Sequence, residues 1–268
     1  MHLPRRVKDH MLPDIQDEID ARGIDLDEVG IAGLRYPTVF DDGQISQGGV
    51  GTFDVLVRLP SDRRGTHMSR MVEIVHDHLA RLDPRELPLV LKHASAKLDV
   101  DSFTISCVLP VATLVISPES GRESWQASDV RLEGSLVDGS FRLSTAVTSQ
   151  VTSLCPCSKA ISEYGAHNQR SDVTLRVEGE GDDPYPLTVS EAVELIRSVG
   201  SCAVFPLVKR PDERAITMAA FDHPAFVEDM ARDLSLRMRD LRIGHTVFVR
   251  NLESIHSHDA VARLQWLG

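Results

Sequence analysis

The chain has only four cysteines among 268 residues. That is too few for a disulfide framework in a chain of this size, and a reducing, cytoplasmic setting is expected. Positive charge is not in excess. The formal net charge of −11 argues against non-specific binding to nucleic acid. A small anionic substrate stays open, provided that cations cluster locally. No apolar run approaches the roughly 20 residues that a membrane span needs. Met1-His2-Leu3-Pro4-Arg5-Arg6 carries charge with no apolar stretch behind it, so no signal peptide is expected. No second Cys-x-x-Cys or His-x-x-x-His lies near the one close cysteine pair, which excludes a zinc finger.

What is present is an ordinary globular composition, 42% apolar and 26% charged, long enough for one large or two medium domains. Its densest chemistry is Leu154-Cys155-Pro156-Cys157-Ser158-Lys159, followed by Gly165-Ala166-His167-Asn168-Gln169-Arg170-Ser171. A polar segment is a poor place to hide two thiols as packing atoms. His167 reaches the same point if the chain turns back at Gly165. Cys and His suit borderline divalent metals. Spacing alone leaves metal ligation, buried structural thiols and redox chemistry all open.

The periodicity predicts strands over 29–37 and 50–59, joined by a turn at Asp41-Asp42-Gly43-Gln44. Helical spacing runs through Met68, Met71, Val72, Val75, Leu79 and Leu82, with Thr66 or Ser69 as the cap. A second helix is expected over 87–97, then β structure over 102–110 and 111–116. Residues 117–128 read as a module boundary. Asp138-Gly139 between alternating segments predicts a hairpin, followed by a strand over 172–177. A helix over 191–199 is capped by Ser190, and another covers 224–241, with Leu236 and Leu241 among its inward residues. A strand over 246–252 closes the pattern. The order ββ-αα-ββ thus occurs roughly twice. The expected division is an arm over 1–28, helical or extended in part, a first module over 29–124 and a second over 125–268.

Other polar groups are candidates to join the cysteine cluster. The charged segment 208–214 reads as a solvated loop, or as a carboxylate ligand at Glu213 with phosphate-binding cations at Lys209 and Arg210. Glu228 and Asp229 are surface acids at a helix start, or acceptors for a guanidine-like heterocycle edge. His256 and His258 share one face if their segment is extended. Gly65-Thr66-His67-Met68-Ser69-Arg70 offers free amides and cations at a helix start, where anions bind readily.

These segments, with Phe226-Val227-Glu228-Asp229 and Glu253-Ser254-Ile255-His256-Ser257-His258-Asp259-Ala260, resemble the signature of GTP cyclohydrolase I type B. Residues 1–28 and the loops near 117–128 and 178–187 fall outside the resemblance. Met218 stands where many relatives carry an acid. The resemblance implies an α+β tunnelling fold: two tandem ββααββ modules, antiparallel sheets, helices on one face. It implies a homo-oligomer, a tetramer with interfacial active sites, that acts on GTP. The expected reaction gives 7,8-dihydroneopterin triphosphate and formate, the first step of tetrahydrofolate biosynthesis. An archaeal relative giving a cyclic phosphate carries the same motifs, and a non-catalytic metal-binding protein is the reading from another class. One divalent metal ion per site is implied, zinc, manganese or iron(II), held by Cys155, His167, Glu213 and His258. Cys155, His256 and His67 are the catalytic candidates. Glu228, Ser69, Arg70, Lys159, Gln169, Arg170, Lys209 and Arg210 are the candidates for substrate contacts.

Overall fold

A computed structural model describes residues 14–16 and 18–268. The expectation for residues 1–13 lies outside them. Residues 18–20 run as an arm beside 62–65, with Ile19 bridged to Arg63 and the Arg64 amide donating to the Glu18 carbonyl at 3.1 Å.

The chain forms β1 (Leu26–Asp41), β2 (Ser46–Leu59), α1 (Met68–His78), β3 (Arg81–Leu82), α2 (Leu87–Leu98), β4 (Ser102–Ile116), β5 (Glu123–Val137) and β6 (Ser140–Leu154). Then follow α3 (Pro156–Ile161), β7 (Asn168–Glu180), α4 (Val189–Arg197), β8 (Cys202–Ala203), α5 (Arg210–Asp222), α6 (Val227–Asp240), β9 (His245–Asn251) and β10 (Ala260–Trp266). The strands make one sheet in the order β10-β9-β7-β6-β5-β4-β2-β1-β3, with β8 on β6. Every pairing is antiparallel except β1 with β3. The architecture is thus α+β. Strand positions alternate between buried and open, as in Val173, Leu175 and Val177 of β7, so one face carries a single apolar core. Among the described residues no helix is long and apolar enough to cross a membrane.

Both expected turns form. Asp42 accepts from the amides of Gln44 (3.0 Å) and Ile45 (2.8 Å), and Gly43 takes φ +88°. Asp138 and Gly139 both take positive φ, 49° and 77°, as a two-residue hairpin of matching twist requires. Asp42 also reaches across the fold, accepting from the Tyr185 hydroxyl at 3.1 Å and the Val189 amide at 3.0 Å.

Residues 102–116 form one strand, although Pro110 lies within it. The pairing of β2 with β4 stops at Thr52↔Val108, so the missing proline N–H faces a gap. The Gln47 side chain fills that gap, accepting from the Ala112 amide at 2.9 Å.

Several sequence expectations are corrected. The segment from Arg210 is helix α5 rather than a loop; Pro211 sits in its first turn, where a missing N–H costs nothing. Thr188 rather than Ser190 caps α4, in a capping box with Glu191. Neither Thr66 nor Ser69 caps α1; His67 holds the N-cap position without a side-chain cap bond. Leu236 and Leu241 are 59% and 51% exposed, since the stripe that α6 buries runs through Met230, Leu234 and Met238. β10 escaped the sequence reading altogether.

Candidate active site at the fork of the sheet

The sheet divides between β5 and β6. These strands pair from Val137↔Ser140 to Asp129↔Thr148 and then part. Ser128 Oγ donates to Ser149 Oγ at 3.0 Å where they separate. Beyond it β5 pairs only with β4, while β6 keeps β7 on one side and takes β8 on the other, at Val151↔Ala203 and Thr152↔Cys202. The fork opens a cleft of about 520 Å³, lined by Gln126, Gln150, Thr152, Arg170, Phe205 and Glu213 among others. Its size suits a small-molecule ligand. Depressions of similar size under Lys92 (490 Å³) and Trp125 (510 Å³) contain none of the expected site residues.

A thiol–imidazole corner stands at the end of β6. Cys155 caps α3 in an extended conformation, and its Sγ accepts from the Ser158 amide at 3.4 Å. The chain reverses at Gly165, φ +118°. The return is pinned by Cys155 N–H donating to the His167 carbonyl at 3.0 Å and His167 N–H donating to Ser158 Oγ at 3.1 Å. His167 Nδ1 lies 2.8 Å from Gln169 Oε1. An amide oxygen needs a donor, so the proton sits on Nδ1 and Nε2 keeps its lone pair. Gln169 therefore orients His167, and its own side chain is buried.

Glu253 lies beside His167, and the sequence reading passed over it. Its Oε2 lies 3.9 Å from His167 Nδ1, is buried, and has no hydrogen-bond partner. A buried, unpaired carboxylate oxygen calls for a cation or a proton. The signal was available: Glu253 follows the end of the alternating strand that precedes the two histidines.

Glu213 is exposed on the first turn of α5 and faces the cleft with Arg170. Its neighbour Asp212 is fully buried. Asp212 accepts from the amides of Lys209 (2.8 Å), Glu119 (2.9 Å) and Ser120 (2.8 Å) and from the Ser120 hydroxyl (2.6 Å). Burial pushes this carboxyl up, but the four donors outweigh burial and hold it well below the usual carboxylate range. The β4–β5 turn is thereby stapled to the start of α5, leaving Lys209 and Arg210 exposed beside Glu213.

Glu228 is exposed in the first turn of α6. The start of that helix is tied to the end of β6, with the Ala225 amide donating to the Leu154 carbonyl at 3.1 Å. Lys159 is engaged elsewhere: its ammonium donates to the Phe221 carbonyl and lies 4.3 Å from the centre of that ring. His256 and His258 are exposed and stacked on each other at 5.2 Å, in the turn closed by Arg250 and Asp259. His67, Ser69 and Arg70 start α1, which packs on β1 and α2. Four strand spacings separate β1 from β6, roughly 19 Å along the sheet. Among the described residues no three His, Cys, Asp or Glu side chains gather closely enough to hold a metal ion. Within one chain the backbones of Cys155 and His167 are bonded to each other, and Glu213 and His258 do not join them in a ligand cluster.

The fold is that of the tunnelling-type α+β proteins. Uricase from Arthrobacter globiformis superposes with a TM-score of 0.52 over 90% of this chain and 93% of its own, at 10% identity. That likeness speaks for architecture alone. The family follows from the sequence. The model of the type I GTP cyclohydrolase folE2 family matches residues 12–262, and the chain belongs to that family. It is 39% identical to GTP cyclohydrolase FolE2 2 of Cupriavidus metallidurans over 257 residues, 95% of each chain. It is 40% identical to GTP cyclohydrolase FolE2 of Paraburkholderia xenovorans over 258 residues, again 95% of each. The FolE2 of Fervidobacterium nodosum is 37% identical over 257 residues, covering 95% of this chain and 97% of that one.

Proposed function

We propose that this chain opens the imidazole ring of GTP at C8 with water, in the cleft at the β5–β6 fork. The products are 7,8-dihydroneopterin triphosphate and formate, and the step begins tetrahydrofolate biosynthesis. One observation carries the placement. The chain enters β7 with His167 bonded to the Cys155 backbone and, three residues on, Arg170 lines the cleft, so the proposed metal and anion sites are held by the start of one strand.

The roles follow from position. Glu228 accepts the N1 and N2 hydrogens of guanine. Arg170, Lys209 and Arg210 neutralise the triphosphate. His256, exposed beside His258, or His67 of a neighbouring subunit, protonates the ring nitrogen as C8 is attacked. Cys155 and His167 suit a divalent ion: the thiol has an amide donor on it, and Nε2 has a lone pair. Zinc, manganese and iron(II) are all compatible with a thiolate, imidazole and carboxylate set. When bound, such an ion lowers the pKa of water from ~15.7 to about 7. Glu213 and His258 complete the set across a subunit contact or on closure of the 252–259 turn. Ile161 and Tyr164, 86% and 94% exposed beside Cys155, support a homo-oligomer that covers this corner, and a tetramer is the form proposed.

The element order further supports two ββααββ modules. The first is β1-β2-α1-α2-β4-β5 and the second β6-β7-α4-α6-β9-β10, with α3, α5 and the two short strands inserted. Their join falls at Asp138-Gly139 rather than at 124–125.

The test is purified protein with GTP and zinc, manganese or iron(II) in turn, read by product mass, formate and pterin fluorescence after oxidation. A product with the mass of dihydroneopterin triphosphate supports the proposal. A cyclic phosphate moves the chain to the archaeal reaction. No turnover with any of the three metals overturns the reading.

A further inference from the structure

Four chain segments carry the proposed site: the end of β6 with Cys155, β7 with His167 and Arg170, the start of α6 with Glu228, and the end of β9 with Glu253. One buried junction touches all four. Ser171 Oγ donates to Asn251 Oδ1 at 2.5 Å. Asn251 Nδ2 donates to Ser153 Oγ at 2.9 Å. Ser153 Oγ donates to the Ala225 carbonyl at 2.7 Å. Ser171, Ser153 and Asn251 are 0%, 1% and 3% exposed. Each member lies within three residues of a site group. Ser171 follows Arg170, Ser153 precedes Cys155 by two, Ala225 precedes Glu228 by three, and Asn251 precedes Glu253 by two.

We propose that Asn251 is a positioning residue for the reaction, the hub that fixes the distances between the thiol–imidazole corner, the guanine-binding acid and the cleft. The proposal rests on the site assignment above. The chemistry requires an amide at this point. The three bonds run in one direction, and only a side chain that accepts on one atom and donates on the next can sit between two hydroxyls so oriented. A carboxylate accepts only. With Asn251→Asp, Ser153 turns its proton to residue 251 and the Ala225 carbonyl loses its buried partner, so the start of α6 keeps only its backbone tie, the Ala225 amide on the Leu154 carbonyl. Backbone bonds reinforce the junction on either side, with the Leu252 amide on the Arg170 carbonyl at 2.9 Å and the Leu154 amide on Ser201 Oγ at 2.9 Å. None of them replaces the tie from β6 to Ala225 through a side chain.

A matched control exists in the same sheet. Thr148 Oγ1 and Thr174 Oγ1 form a hydroxyl pair at 2.7 Å between β6 and β7, outside the residues that line the cleft. The experiment measures GTP turnover, KM, bound metal and melting temperature for the parent, Asn251→Asp, Ser171→Ala and Thr148→Val in the intact protein. Asn251→Asp replaces a single heavy atom, the amide nitrogen by oxygen, and keeps the side chain's shape, so the fold should survive. A misplacement of about 1 Å at the site lowers kcat/KM by about 100-fold. KM for GTP should rise along with the fall in kcat, because Glu228 moves relative to Arg170. Ser171→Ala, which removes one arm, should fall between parent and Asn251→Asp. Thr148→Val should lower the melting temperature and leave kcat and KM unchanged. If Asn251→Asp does not fold, Ser171→Ala against Thr148→Val decides the matter. Kinetics for the junction variants that match those of Thr148→Val would overturn the proposal. An inactive parent would instead remove the site assignment on which it rests.

Discussion

Gly200→Ala probes the fork directly. Gly200 lies between α4 and β8 and crosses β6 at close range. A Cβ there would stand 2.4 Å from Val151 Cβ, 2.6 Å from Val151 Cγ2 and 3.1 Å from the Thr152 carbonyl. Favourable carbon contacts need roughly 3.5–4.0 Å, so something must move by more than about 1 Å. Val151 is fully buried and paired on both sides, with Ser171 of β7 and Ala203 of β8, so it has nowhere to go. The turn itself must lift. Gly200 is not among the glycines with positive φ, so alanine fits the backbone there. Its lower unfolded-state entropy would then add about 0.5 kcal/mol of stability. Overpacking of this size costs about 3 kcal/mol and wins. For a chain of this length that loss lowers the melting temperature by roughly 6 °C. Lifting the turn also pulls Ser201 from the Thr152 carbonyl, now 2.8 Å away, and shifts Ala203 to Phe205 in the wall of the cleft. KM for GTP should therefore rise with the loss of stability. The assay is a thermal melt beside steady-state pterin formation. A Gly200→Ala protein with parental melting temperature and KM would refute the view that β8 is pressed onto β6 to shape the cleft.

Replacing Cys155 with Ala should abolish turnover and leave the gel-filtration elution as in the parent, read beside the pterin assay. Glu253→Gln keeps the side chain's shape beside His167 and should leave the melting temperature near the parent's. Turnover should still fall by about 100-fold, because an acidic group is lost beside the imidazole; equal activity would make Glu253 a bystander. His245 is buried between Ser235 Oγ and the Ile243 carbonyl, and burial pushes its pKa below the ordinary 6.5. The unfolded chain then binds the proton more readily, so this contribution is complete above pH 6.5 and is lost as pH falls below it. The melting temperature should drop across that window, and His245→Gln should flatten the drop. Asp212→Asn places an amide hydrogen against donors. It should lower the melting temperature at neutral pH, raise KM through Lys209 and Glu213, and remove the acid sensitivity that a depressed carboxyl brings below pH 4; a silent variant would show that the staple is dispensable.

The strands were legible wherever one face meets the core, because alternation is a local signal. The hairpin at Asp138-Gly139 and the turn at Asp42-Gly43 were legible for a different reason: positive φ limits which residues fit. Helix α5 was not. Its sequence, Arg-Pro-Asp-Glu-Arg, is charged at the start because Asp212 is drawn inward by donors from a distant turn, and no local pattern shows that. Glu253 was missed for the same cause. Its burial depends on β9 lying beside β7, a pairing of residues some eighty apart in sequence. The backbone at 155 and 167 comes together, since a short return through Gly165 suffices. The groups expected from 67–70 stand on another part of the sheet, four strands from β6.

An enzyme with a net charge of −11 that takes a polyanion must separate its charges in space. The fork does this. Arg170 points into the cleft from β7, and Arg197 reaches its far wall, donating to Gln126 Oε1 at 3.1 Å with its guanidinium 5.3 Å from the Phe205 ring. Lys209 and Arg210 stand at its rim, held there by the inward turn of Asp212. A continuous sheet would leave no room for these groups, because paired strands lie only about 4.8 Å apart. Parting β5 from β6 costs the hydrogen bonds of six residues on β5, and the protein recovers part of that through β8 on the other strand. The half of the chain that forms β6 and β7 also carries α3, β8 and α5. These three elements supply the cap for Cys155, the replacement strand and the cationic rim, each answering a need that the opened sheet creates.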